Sequence, residues 1–106
     1  MNEQANNTLP IENPDVVNVG FDDGFKRGND TIKTVQLNKP KTGALRGLSL
    51  SNVIQMDVDS LAKLATRITV PTMTEQDVYN LSPADFTTLG VAMIGFFVSN
   101  SNSPAV

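Results

Sequence analysis

The chain has 106 residues, a net charge of −3 and 40% apolar side chains, which suffices for one domain with a modest core and is too mild a charge to imply a partner by itself. It contains neither histidine nor cysteine. That removes the commonest general base, the thiol nucleophile, the usual transition-metal ligands and every disulfide.

Residues 1–14 are rich in Asn, Gln and Glu and interrupted by Pro10 and Pro14, so they read as a disordered arm. Val16 to Phe21 is a Val-rich strand, and Asp22-Asp23-Gly24 reads as the turn that ends it. Thr31 to Leu37 is a second strand. Ile32 and Val35 differ in parity there, which leaves the register open. Lys26-Arg27-Gly28-Asn29-Asp30 lies between the two runs, and its turn residues predict a hairpin with a longer than usual connection. A lone hairpin is barely stable in water, so this one must lie on helices or pair with another chain.

Pro40 stops the second strand, and Thr42 can cap a helix over 42–52 with Leu45 and Leu48 on one face. Gly43 and Gly47 weaken that helix by about 1 kcal/mol each relative to alanine. Asp57 starts a helix over 57–68. Val58, Leu61, Leu64, Ala65 and Ile68 form its apolar face, and Asp59, Lys63 and Arg67 form an exposed ridge. Thr74-Glu75-Gln76-Asp77 is a capping-box pattern for a short helix over 74–80, with Val78 and Leu81 toward the core. Ser82, Pro83 and Asp85 are an N-cap, a first helical residue and a capping-box acid for a last helix over 82–98. Residues 99–106, made of Ser, Asn and Pro with a little apolar matter, read as a flexible tail. The fold class is α+β: an N-terminal β-hairpin (16–21 and 31–37) followed by a bundle of three to four helices, in a single domain over 15–98.

The last helix is the functional lead. From Leu89 to Val98 it carries no polar side chain, and a helix apolar all round must be buried in its own fold or in a partner. This run of ten residues is too short to cross a membrane, which takes roughly 20. On a 3.6-residue period Phe86, Leu89, Met93 and Phe97 line one stripe, assigned inward. Val91, Ile94 and Val98 line another, assigned outward, with Phe96 between. Val91, Ile94, Phe96 and Val98 are therefore the candidate partner-binding residues. Gly90 and Gly95 are five apart, off the four-residue spacing that brings helices together, and read as room for Phe86, Tyr79 or the second helix.

No catalytic signature is present. Asp57 and Asp59 suit a helix start, Asp22-Asp23 suits a turn, and Gly43-x-x-x-Gly47 lacks the Lys-Ser/Thr of a phosphate loop. No catalytic residue, metal or cofactor is expected. Six of the eight basic residues fall between Lys26 and Arg46, opposed only by Asp30. Such a block can attract nucleic acid, or it can keep sheet edges from aggregating. No aromatic residues interleave it for base stacking.

From Gln36 onward the order of signals is specific. Asn38-Lys39-Pro40-Lys41-Thr42 is followed by Leu45-Arg46-Gly47-Leu48, then by Gln55-Met56-Asp57-Val58-Asp59-Ser60-Leu61. Next come Arg67 to Glu75, Leu81-Ser82-Pro83-Ala84-Asp85-Phe86, and Gly90 to Phe97. Over about 25–98 this resembles the tail assembly chaperones of contractile-tailed bacteriophages and prophages, of the Mu-like kind. It departs from them at Asn38-Lys39, at Ala44, in the long arm and in the Gly20 to Gly24 insertion. The resemblance implies a non-enzymatic chaperone that binds the tape measure protein and keeps it soluble until tail tube polymerisation. It implies a short form and a longer frameshifted form, self-association or contact with tail tube protein, a place in the host bacterial cytoplasm, and absence from the mature virion. No membrane partner is expected. The competing readings are a small nucleic-acid-binding accessory protein using the Lys26–Arg46 block, and a structural virion component.

Overall fold

Val16–Arg27 (β1) folds back on Asp30–Asn38 (β2) through a two-residue turn, Gly28-Asn29, in a computed structural model that describes residues 15–98. The arm at 1–14 and the tail at 99–106 lie outside the described residues. Gly28 has φ +63°, the positive angle that the first central position of a tight hairpin turn requires. The connection is therefore shorter than expected and the first strand longer, because Asp22-Asp23-Gly24 does not end it. Pairing runs from Val16↔Asn38 to Gly20↔Thr34 and resumes at Phe25↔Ile32, so Phe21 to Gly24 bulge opposite Lys33 alone. The bulge also answers the parity problem. Val35 stands opposite Val19, while Ile32, past the bulge, stands opposite Phe25. Val19, Phe21, Phe25, Val35 and Leu37 are all buried.

A third strand, Thr69–Val70 (β3), pairs antiparallel with Leu37 and Gln36 and was not expected. Two residues are too short to show a periodicity of two. The sheet order is β1-β2-β3.

The helix expected over 42–52 is two pieces, a 3-10 helix at Thr42–Leu45 and α1 at Leu50–Ile54. Gly47, at φ +79°, lies between them, and Ser49 restarts the helix by accepting the Asn52 N–H at 3.2 Å. α1 is closed by a turn through Met56, which takes a left-handed conformation at φ +63°. The Met56 N–H donates to Val53 and the Asp57 N–H to Asn52, at 3.0 and 2.9 Å, the paired bonds of a Schellman ending. Asp57 then accepts the Ser60 N–H at 3.0 Å and starts α2, Val58–Ile68. Leu61, Leu64, Ala65 and Ile68 are buried as expected, but Val58, in the first turn, is exposed. Arg67 donates to the carbonyls of Ala44 and Arg46 at 2.7 and 2.8 Å and ties the 3-10 segment to α2.

α3, Glu75–Tyr79, carries the expected capping box, and α4, Pro83–Ile94, starts at the expected cap. α4 ends four residues before Val98. Gly95 is its C-cap, and the N–H groups of Phe96 and Phe97 bond three residues back, to Met93 and Ile94. The last apolar residues therefore form a tight turn instead of another helical turn. α4 packs on β1, and α2 packs on α3 and α1, so the sheet and the helices share one core.

Candidate functional site

The rotation of α4 decides which of its apolar side chains remain outside. Its first turn is fixed from two directions. Ser82 accepts the Asp85 N–H at 3.1 Å. The Asp85 carboxylate accepts the backbone N–H groups of Asp22 at 2.8 Å, Asp23 at 3.0 Å and Gly24 at 3.0 Å. Asp85 is thus not the capping-box acid that its position implied. Its side chain points across to the β1 bulge, because those three N–H groups have left the ladder and need an acceptor. Burial raises its pKa, but the hydrogen bonds from Asp22, Gly24, Asp23 and Ser82 outweigh burial and hold it below the ordinary value of 3.8.

With the first turn held, Leu89 and Met93 are fully buried, and Phe86 and Phe97 are half-buried against the core. The four assigned inward do face inward. Val91 is 59% exposed and Val98 48% exposed, while Ile94 is half-buried. Phe96 is half-buried and packs on the core. The candidate residues thus differ in access: Val91 and Val98 stand out, while Ile94 and Phe96 are partly covered, Phe96 against the core. Gly90 gives room to Met56 and to Leu61 of α2. A Cβ there would stand 2.5 Å from Met56 Cε and 3.1 Å from Leu61 Cδ1. Neither Phe86 nor Tyr79 fills that space.

A second feature escaped the sequence. Val58, Val78, Tyr79, Leu81, Pro83 and Phe86 line an apolar groove of about 250 Å³ between the starts of α2 and α4 and the end of α3. Tyr79 is held by its hydroxyl, which donates to Asp59 at 2.9 Å and lies 3.5 Å from Glu75. The bond to Asp59, some burial and the negative charges of Asp59 and Glu75 raise the Tyr79 pKa above 10.0. Lys63 stands 3.7 Å from Glu75. Asp59 and Tyr79 are 20 residues apart in different helices, so no local pattern joins them.

The basic block is divided. Lys26, Lys33, Lys39, Lys41 and Arg46 are exposed. Arg27 instead pairs with Asp77 at 2.6 Å, donates to the Thr72 carbonyl at 3.1 Å and lies over the Phe25 ring at 5.5 Å. It pins the hairpin turn to α3. Burial raises the Asp77 pKa, and the hydrogen bonds from Thr74 and Arg27 more than reverse that, leaving it below 3.8. Among the described residues no cluster of acids could hold a metal ion, and no helix is long and apolar enough to cross a membrane.

Residues 19–98 match the model of a family described as phage tail assembly chaperone proteins, E, or 41 or 14. Over 83 residues the chain is 41% identical to tail assembly protein E of Escherichia phage P2, covering 78% of this chain and 91% of that protein. Over 81 residues it is 41% identical to tail assembly protein E′ of the same phage, covering 76% of this chain and 57% of E′. The chain thus spans little more than half the length of E′. No solved structure matches it. The matched stretch holds the β1 bulge, the groove and all of α4, so the elements that position the candidate site lie within the likeness: the chain belongs to the phage tail assembly chaperone family.

Proposed function

We propose that this chain binds the tape measure protein and keeps it soluble until tail tube subunits polymerise around it, acting without catalysis in the host cytoplasm and leaving before the virion matures. The observation that carries the reading is the apolar surface left at the end of α4 and in the turn that follows it, where Val91 and Val98 stand in solvent and Ile94 is half-buried. A tape measure is long and helical, and aggregates when bare. Its holder needs a small apolar face that can be repeated along the client and released when tube subunits arrive. Weak contacts made many times provide both binding and release, and an apolar patch rimmed by polar surface is the usual mark of such a face. That E′ extends further beyond the aligned stretch than E suits a short and a longer form of such a chaperone.

Co-expression with the tape measure protein of the same phage, followed by capture of this chain, tests the reading. The tape measure protein is expected in the soluble, captured fraction, and Ile94→Asp is expected to deplete it. Capture left intact by Ile94→Asp would remove α4 from the interface. A tape measure protein equally soluble without this chain would overturn the function. Purified virions are expected to lack the chain, whereas a structural component would persist in them.

A further inference from the structure

The apolar groove between the starts of α2 and α4 has an acidic rim. Two of its walls, Val58 and Tyr79, are each more than two-fifths exposed, and Phe86 is half-buried beside them. We propose that this groove binds an amphipathic helix of a different protein. That helix seats one large aliphatic or aromatic side chain between Val58, Tyr79 and Phe86, and sets an arginine or lysine one turn away against Asp59 and Glu75. The proposal is independent of the tape measure reading. Pro83 and Phe86 lie in the first turn of α4 and Val91 in its last, so the two surfaces are separate.

Size and lining set the first half of the partner. The groove offers about 250 Å³. Pockets for small molecules begin at roughly 300 Å³, so this one suits a single bulky side chain. Val78 and Leu81 are buried beneath it, and the Tyr79 hydroxyl is the one polar side-chain group in the lining. That hydroxyl already donates to Asp59, so an apolar side chain entering the groove strands no polar group. The same bond holds the ring still, and little side-chain freedom is left to lose on docking.

The rim sets the second half. Asp57 and Asp59 flank Val58 in sequence, and Asp59 and Glu75 lie 2.9 and 3.5 Å from the Tyr79 hydroxyl. A phenol has one proton to donate, and the shorter distance gives it to Asp59. Glu75 is left with Lys63 at 3.7 Å, a pair with both side chains nearly half exposed, which contributes little. Six of the eight basic residues lie between Lys26 and Arg46, outside the elements that form the groove, so the rim keeps its negative sign. A basic partner is drawn to it and an acidic one repelled. Glu75 and Tyr79 stand four apart on α3, one helical turn. A helix laid along them meets the groove and Glu75 with side chains of the same spacing, as helices docked in apolar grooves do.

Tyr79 is the one tyrosine and the chain has no tryptophan, so tyrosine emission reports on the groove wall alone. The test is a titration of the full chain with a synthetic helical peptide of alanine and glutamine that carries one leucine and one arginine four residues apart. A saturable change in emission is expected, at a peptide concentration that rises with salt. Replacing the peptide's leucine by alanine, or its arginine by glutamate, is expected to raise the dissociation constant about tenfold or more, as loss of an anchor does. Glu75→Lys should weaken binding of the arginine peptide and favour the glutamate peptide, an exchange that a purely structural role for Glu75 would not give. Val58→Glu adds an acid but removes an apolar wall, and should also weaken binding about tenfold. An acid in the first turn of α2 suits the helix, and an unchanged thermal midpoint checks that the fold survives. Emission that does not respond, or responds equally to all three peptides, overturns the proposal. So does tighter binding by Val58→Glu, which would mean charge attraction without a seated side chain. A dimer of this chain that Val58→Glu disperses also overturns it and gives the groove to a second copy.

Discussion

The carboxylate of Asp85 accepts the backbone N–H of Gly24 at 3.0 Å, from 61 positions further along the chain. That bond and its two neighbours at Asp22 and Asp23 turn an irregular strand into a socket for the start of α4. The bulge exposes three donors in a row, and the helix presents one buried anion to receive them. Each part needs the other, since unpaired N–H groups and a lone buried carboxylate are both costly.

Asp85→Ala is expected to destabilise the fold by about 3 kcal/mol or more, because three donors lose a charged acceptor together. Asp85→Asn keeps one acceptor oxygen and should lose less. Urea unfolding measures both. A loss under about 1 kcal/mol for the alanine variant would mean that water replaces the carboxylate at little cost.

Stability is expected to fall in acid. Asp85 and Asp77 titrate below their ordinary value, and so does Asp57, through its bonds from the Ser60 hydroxyl and N–H. As pH drops, the unfolded chain takes up these protons first. The contribution is complete above the ordinary value of 3.8 and is lost as pH falls through the lower folded values. Urea midpoints between neutral and strongly acidic pH should show this, with a shallower slope in Asp85→Asn. A slope unchanged in that variant would deny Asp85 its share.

The two hairpin glycines with positive φ should respond differently to alanine. Gly28 has φ +63° and open space where a Cβ would go, so Gly28→Ala should cost about 1–2 kcal/mol, the penalty of the left-handed region alone. Gly24 has φ +74°, and its added Cβ would collide with the Ile32 carbonyl oxygen, which is backbone and cannot turn aside. Gly24→Ala should therefore cost clearly more and loosen Asp85. Equal losses in unfolding experiments would count against the tight bulge.

Tyr79 is the one tyrosine in the chain, so its absorbance titration is free of overlap. Its midpoint is expected above 10.0, first because the phenol donates to Asp59. The stability this bond contributes is present below the ordinary tyrosine value and lost as pH rises through the higher folded one. Asp59→Ala should bring the midpoint down. No change would mean that the ring is not tethered there.

The sequence by itself determined the pieces with local signals. The Val-rich first strand, the capped and amphipathic α2, the Thr74–Asp77 box of α3 and the Ser82-Pro83 start of α4 each carry their signal within a few residues, and so does the order of motifs that marks the family. Tertiary structure decided what depends on partners far along the chain. Asp22-Asp23-Gly24 has the composition of a turn, and only Asp85, more than 60 positions away, makes it a bulge within a longer strand. Thr69–Val70 is a strand only because β2 offers it an edge. The groove needs three helices brought together, and its tyrosine wall is fixed by an aspartate on another helix. Periodicity and caps report which face a segment turns inward. They do not report which donor, acceptor or side chain the rest of the fold will bring to meet it.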